Sequence, residues 1–279
     1  MFQLSFWVGV SVIAMACLAE YVDSTLGMGY GTSLTPILLM LGFEPIQVVP
    51  AILLAELFTG LLSGIMHTKV GNANFKIETL NPVKVKNGLK KYGFVEAFKK
   101  GTSLHLKIAL LIAAFSIIGS IIGVNLAIKL PALYLKMYIG ILVFAIGIYI
   151  IFTYNKKFDF TWTKLSLIAI IASFNKGISG GGYGPVVTGG QLLAGVDGKN
   201  AVAITSLAEG LTCMVGTLMY CYTIDTIDWM LAPYLILGGI LAVPLSAITV
   251  KRINMDKMKV FIGFATIFLG AFTISRIFL

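Results

Sequence analysis

A short glycine-rich stretch occurs twice in this chain, each time inside apolar sequence. The first copy is Gly27-Met28-Gly29-Tyr30-Gly31 and the second is Gly180-Gly181-Gly182-Tyr183-Gly184. Each is followed, 25 residues after its last glycine, by a lone acid: Glu56 in one case, Glu209 in the other. A glycine run inside a bilayer opens the backbone. The freed N–H and C=O groups then need partners other than lipid, so they must be buried in protein or turned to a cavity or ligand.

That the surroundings are a bilayer follows from composition. The chain has 279 residues, 58% of them hydrophobic and only 12% charged, where a soluble domain has about 25% charged residues. Apolar segments run at 4–22, 32–43, 46–67, 106–128, 133–153, 163–176, 185–195, 200–222, 229–250 and 258–277. A full span needs about 20 residues, so 32–43 and 185–195 are too short to cross. Each directly follows a glycine cluster and reads as half of a broken helix or a re-entrant hairpin. No basic region precedes segment 4–22, which therefore reads as retained and not as a cleaved signal. Cys17, Cys213 and Cys221 give neither an even-numbered disulfide framework nor a metal spacing. No cofactor or metal motif is present.

Sliding the chain on itself by 153 residues tests for duplication. Over positions 27–59, without a gap, twelve identities appear, among them Gly27/Gly180, Gly29/Gly182, Tyr30/Tyr183, Gly31/Gly184, Thr35/Thr188, Glu56/Glu209 and Thr59/Thr212. Apolar composition inflates Leu, Val and Ala matches, but it does not place Glu on Glu or Gly-Tyr-Gly on Gly-Tyr-Gly. The net charge of +9 does not indicate nucleic acid, because the bases cluster in loops between apolar segments. Loops 68–105, 154–164 and 251–257 carry the lysines, which places them inside the cell, whereas loop 223–228 holds Asp225 and Asp228 and reads as outside. Loops 68–105 and 223–228 are repeat equivalents on opposite sides, so the halves are inverted and both termini lie outside. The expected fold is an all-α, multi-pass protein of the plasma membrane. It has two inverted repeats, 1–153 and 154–279, with broken or re-entrant helices at the glycine clusters, the common plan of secondary transporters.

A helix that restarts after a glycine run exposes its first N–H groups at the positive end of its dipole. Two such starts facing each other make an anion site without a basic side chain. Gly27, Gly29, Gly31, Gly180, Gly181, Gly182 and Gly184 are therefore candidate substrate-binding residues, with Tyr30 and Tyr183 as hydroxyl donors if they face the cavity. The plainer alternative is that the glycines let helices pack closely and the tyrosines fill the core. Glu56 and Glu209 sit on helical faces rich in Thr, Gly and Ser, so they point into protein and not at lipid. A charge in mid-membrane is costly, which suits a group that carries a proton during transport. It suits equally a permanently neutral acid that ties unwound backbone together. Lys176 is the one base deep in an apolar segment. It pairs either with an anionic substrate or with a buried acid, and Asp23 lies opposite it in repeat register. Ser24 and Gln191 are further polar groups near the clusters.

Other readings are weaker. The stretch from Lys84 to Lys100 mixes lysines with Leu89, Tyr92, Phe94, Val95 and Phe98, as an amphipathic helix on anionic lipid or a solvated linker would. His67 and His105, at the edges of that loop, read as interfacial. Gly177-Ile178-Ser179-Gly180 fits an intramembrane serine protease motif, but no histidine follows residue 105 to serve as base. Gly27-x-Gly29-x-Gly31 lacks the strand and ribose-binding acid of a dinucleotide fingerprint. An enzyme is not expected.

The GMGYG and GGGYG stretches, the Gly42-Phe43 and Gly195-Val196 turns and the duplicated layout resemble the TauE/SafE family of anion transporters, also called the toluene sulfonate uptake permease family. The resemblance covers the chain apart from loop 68–105. It implies outward movement of a sulfur-containing oxyanion such as sulfite or an organosulfonate, without ATP, with the two glycine stretches as the substrate region. The partners are then a small anion, protons carried on Glu56 and Glu209, and the lipid bilayer. A passive anion channel with the same layout is the alternative. Neither the anion nor the oligomeric state follows from the sequence.

Overall fold

The computed structural model describes residues 6–76, 102–153, 162–193, 196–224, 229–252 and 270–275, with positions 260, 264, 267 and 268 besides. The described residues are helical apart from short connections, and no strand occurs among them. The helices are α1 (Phe6–Leu26), α2 (Tyr30–Met40), α3 (Pro45–Val70), α4 (Leu104–Lys129), α5 (Ala132–Thr153), α6 (Trp162–Ser179), α7 (Tyr183–Leu193), α8 (Gly198–Ile224) and α9 (Ala232–Val250). Six of them, α1, α3, α4, α5, α8 and α9, are long and apolar enough to cross a membrane. The helices at the two short apolar segments, α2 and α7, have 11 residues each, about 16 Å of rise and roughly half a bilayer.

Local sequence sets the helix ends. α3 starts at a reciprocal cap, with the Glu44 side chain accepting from the backbone of Gln47 and the Gln47 side chain accepting the Glu44 N–H at 2.9 Å, and Pro45 takes the first helical position. It ends at Gly71, whose φ of 86° is left-handed. α1 and α6 end differently. Each runs directly into a glycine cluster, where Gly27 (φ 69°) and Gly180 (φ 72°) turn the chain. Gly29 (φ 136°) and Gly182 (φ 80°) then start α2 and α7.

α3 and α8 pack against each other at the centre. In these two helices 67% of the most apolar membrane-length window is buried, against 28–44% in the other spans. Their axes come close because Gly60 faces the backbone of Gly210 and Ser206, where a Cβ would stand 2.7 Å from both. The outer helices are exchanged between the sequence halves. α9 lies along α1 and α3, while α4 lies along α6 and α8. Gly238 meets the backbone of Ile13 and Cys17 in the first group, and Gly119 meets that of Ile170 and Phe174 in the second. α5 covers the two glycine turns, with Leu142 and Ile146 in one apolar cluster with Leu26 and Met28 and also against Gly182. Large apolar side chains such as Phe6, Trp7, Leu18, Phe115, Ile118, Leu218 and Leu245 point outward, as they must where lipid is the solvent. The Lys84–Lys100 stretch lies outside the described residues, as does half of segment 258–277.

A Cβ on Gly31 would overlap the Gly180 carbonyl, and one on Gly184 the Gly27 carbonyl, whereas one on Gly42 (φ 95°) would meet nothing. Gly31→Ala and Gly184→Ala are therefore expected to abolish the monodisperse protein in detergent. Gly42→Ala should cost only the left-handed backbone, about 1–2 kcal/mol. Size-exclusion profiles and thermal unfolding check the contrast.

Candidate functional site

The two glycine turns lie against each other, and the contact occurs twice with residues 153 positions apart. Gly31 meets Gly180 and Gly181, and Gly184 meets Gly27 and Met28. Thr188 Oγ1 donates to the Gly27 carbonyl at 2.7 Å, while its repeat partner Thr35 sits beside Gly180. A contact in which i meets j′ and j meets i′ is the mark of a local twofold. Gly31, Gly181 and Gly184 are thus glycines because another backbone occupies the place of their side chains, whereas Gly27 turns with a positive φ against the Thr188 side chain. Gly29 and Gly182 are glycines because their φ is positive.

Several groups expected to serve an anion already have protein partners. The Tyr30 N–H donates to Asp23 Oδ1 at 3.1 Å, and the Gly182 N–H to Thr32 Oγ1 at 3.1 Å. The Tyr30 hydroxyl donates to the Leu235 carbonyl at 3.1 Å, and the Tyr183 hydroxyl accepts from Thr212 at 3.1 Å. Both tyrosines are fully buried. Their rings fill core space and their hydroxyls tie α2 to α9 and α7 to α8.

Next to the turns lies a buried ion cluster. Lys176, at the end of α6, places Nζ against Glu56 Oε2 of α3 and against Glu209 Oε1 of α8, the latter at 2.7 Å. Relative exposure is 1% for Lys176, 2% for Glu56 and 4% for Glu209. Of the two outcomes open from sequence, Lys176 takes the buried acids, and it takes both. Cys213 Sγ faces Glu56 Oε2 at 3.6 Å. The other oxygens, Glu56 Oε1 and Glu209 Oε2, are buried without a hydrogen-bond partner among the described residues. One ammonium thus balances one carboxylate, and the second carboxylate is in excess. Asp23 does not pair with Lys176 as repeat register implied. It stays within electrostatic range of Lys176 and Glu209, but from α1 its carboxylate accepts the Tyr30 N–H at the start of α2, seven residues on.

Three further features escape a reading of the sequence by register. Glu20 on α1 is 1% exposed, and its repeat position is Ser173, so matching gives it no partner. An acid inside an apolar span was itself the available signal. Ser24 Oγ lies 2.5 Å from Glu20 Oε1 and 3.3 Å from Ser63 Oγ. His67, in the last turn of α3, faces protein and not solvent. It is fully buried, with Nε2 at 3.1 Å from the Ser24 carbonyl and Nδ1 at 3.0 Å from Asn72 Nδ2, which also donates to the Ala247 carbonyl at 2.8 Å. A carbonyl only accepts, so Nε2 carries the proton and Nδ1 accepts. His105 Nδ1 accepts the Asn74 N–H at 3.0 Å. On the other side, Thr188, Thr205 and Gln191 form an uncharged cluster, with Gln191 Nε2 and Thr188 Oγ1 each 2.8 Å from Thr205 Oγ1. No group of three or more metal-ligating side chains occurs among the described residues.

A family model described as sulfite exporter TauE/SafE matches residues 12–80 and 92–273, nearly the whole chain. The chain belongs to the TauE/SafE family. It is similar to the probable membrane transporter protein YtnM of Bacillus subtilis (strain 168), with 26% identity over 269 residues, covering 92% of this chain and 79% of the relative. No solved structure matches. The resemblance carried by the glycine stretches is thus correct at the level of family, and this TauE/SafE member is a multi-pass membrane transporter.

Removing Lys176 would strand two buried carboxylates. Lys176→Met is expected to lower stability by about 3–5 kcal/mol, and the triple variant Lys176→Met/Glu56→Gln/Glu209→Gln to recover most of that. Thermal unfolding in detergent checks both.

Proposed function

We propose that this TauE/SafE member is a secondary exporter of a small sulfur oxyanion, sulfite or an organosulfonate, coupled to protons. The observation that carries the proposal is the single buried ammonium of Lys176 held between Glu56 and Glu209. An anion that reaches Lys176 must replace a carboxylate there. Leaving that carboxylate charged and unpaired in a low-dielectric interior costs several kcal/mol, so it takes up a proton. Anion and proton then move together. The site lies between the α1–α2 and α6–α7 turns, where N–H groups of Gly31, Tyr183 and Gly184 at the helix starts add to Lys176. Gly27, Gly29, Tyr30, Gly180, Gly181 and Gly182 shape its backbone walls.

The inverted-repeat plan rests on the 153-residue repeat, the opposed loop charges and the twofold contacts of the glycine turns. In this plan the moving bodies are not the sequence halves 1–153 and 154–279, because α4 and α9 are exchanged between them. One body is α1, α3 and α9, and the other is α4, α6 and α8. Lys176–Glu209 lies within the second body. Lys176–Glu56 crosses between the bodies, at the level where Gly60 and Gly210 bring α3 and α8 together. Protonation of Glu56 releases the cross-link, and the bodies rock about the glycine-lined seam.

In proteoliposomes, a pH gradient is expected to drive accumulation of radiolabelled sulfite, and Glu56→Gln to lower that accumulation by about tenfold or more. Indifference of transport to both Glu56→Gln and Glu209→Gln overturns proton coupling through these acids. Flux that never exceeds the electrochemical potential of the anion replaces the exporter with a passive channel.

A further inference from the structure

The proposed coupling leaves a physical gap. Glu56 is 2% exposed and has Lys176 and Cys213 against Oε2, so a proton reaching it needs a route through the protein. α1 and α3 hold a chain of groups that the exporter reading does not use. Glu20 is 1% exposed, and its Oε2 has no hydrogen-bond partner among the described residues. No described base pairs with it, since Lys176 is taken by Glu56 and Glu209. The charged and titratable groups acting on it are Asp23 of its own helix and Glu56 of α3. Tyr30 of α2 feels Glu20 in turn, the Thr59 hydroxyl of α3 is a hydrogen-bond partner on that side, and α9 places Gly239 against the Glu20 Cγ. A buried acid without a base is neutral or must be neutralised, which makes it a proton carrier by position.

The geometry points to Glu20 as the group that hands the coupling proton between Glu56 and a hydroxyl chain through Ser24 and Ser63. This inference rests on the exporter reading above. The chain has two polarities. With Glu20 ionised, the single Ser24 hydroxyl proton goes to Oε1 at 2.5 Å, and Ser63 donates to Ser24 across 3.3 Å. With Glu20 protonated, its O–H donates to Ser24 and Ser24 donates to Ser63. Switching between them moves one proton along the chain. The transfer to Glu56 breaks the O–H bond on Glu20 and forms one on Glu56, whose free Oε1 is buried like Glu20 Oε2. Lys176 keeps its proton throughout. His67 is a positioning residue: one turn beyond Ser63, its Nε2–H fixes the Ser24 carbonyl at 3.1 Å. Every member lies on α1 or α3, so the route stays intact while those helices move against α4, α6 and α8. The second half has no such chain, because the repeat positions of Glu20, Ser24 and Ser63 are Ser173, Gly177 and Gly216.

The test separates coupled transport from exchange in the full-length protein in proteoliposomes. Sulfite–sulfite exchange without a pH gradient needs the anion site and a proton that stays on Glu56 while one anion replaces another, with no net proton movement, whereas gradient-driven accumulation needs a proton to enter and leave in every cycle. Glu20→Gln is expected to keep exchange within about twofold of the native rate and to lower gradient-driven accumulation by about tenfold or more. Glu20→Asp should restore part of that accumulation, and Ser24→Ala should slow it with exchange retained. Native accumulation in Glu20→Gln overturns the inference. So does a parallel loss of accumulation and exchange in a Glu20→Gln protein that melts like the native one. If Glu20→Gln does not fold, native accumulation in Ser24→Ala overturns it instead. Native protein that neither exchanges nor accumulates sulfite refutes the exporter reading and leaves Glu20 without a coupling role.

Discussion

One ammonium group shared by two carboxylates in a membrane interior is the constraint on which the rest depends. Lys176 cannot leave either Glu56 or Glu209 without exposing a buried charge, so three helices, α3, α6 and α8, are tied at one point. Buried ion clusters are poor sources of net stability, because the desolvation of three charges offsets most of their attraction. Their physical value lies in selectivity of state. In the proposed cycle the cluster is rearranged, with a proton, when an anion reaches Lys176. A transporter needs such a two-state element, whose equilibrium both substrate and proton can bias.

The backbone next to the cluster is shaped by the two glycine turns. Gly31 against Gly180, and Gly184 against Gly27, allow two chain reversals to cross at backbone distance. No side chain larger than hydrogen fits there. Those contacts also explain why so few free donors remain: Asp23 and Thr32 already take N–H groups at the starts of α2 and α7. The ammonium of Lys176 is balanced by Glu56 and Glu209, so in the proposed cycle an anion gains it, and the remaining helix-start N–H groups, only once a carboxylate has been neutralised. The exchange of α4 and α9 between the halves then ties each half to the other.

Much of this was legible in the sequence. The repeat, the half-length segments and the buried acids follow from spacing and the cost of charge in lipid, and the family from the glycine stretches. Contact direction was not legible. The sequence offered Lys176 several buried acids, and only the crossing of α3, α6 and α8 decides that it meets Glu56 and Glu209 together. Tyr30 and Tyr183 repeat faithfully, yet their hydroxyls go to Leu235 and Thr212, partners that the local sequence does not announce. Glu20 and His67 were obscured for the opposite reason. Neither has an equivalent in the other half, Ser173 and Tyr220 standing in their places, so an argument from duplication passes over them.

The central claim is that an anion replaces a carboxylate at Lys176 and that this carboxylate takes up a proton. Isothermal titration calorimetry of the detergent-solubilised protein with ethanesulfonate tests it directly, because that anion does not itself titrate near neutral pH. Repeating the titration in buffers of different ionisation enthalpy gives the number of protons bound with the anion. The account requires proton uptake in the native protein and its loss in the Glu56→Gln/Glu209→Gln variant. Binding without proton uptake, or uptake that survives in that variant, would contradict it.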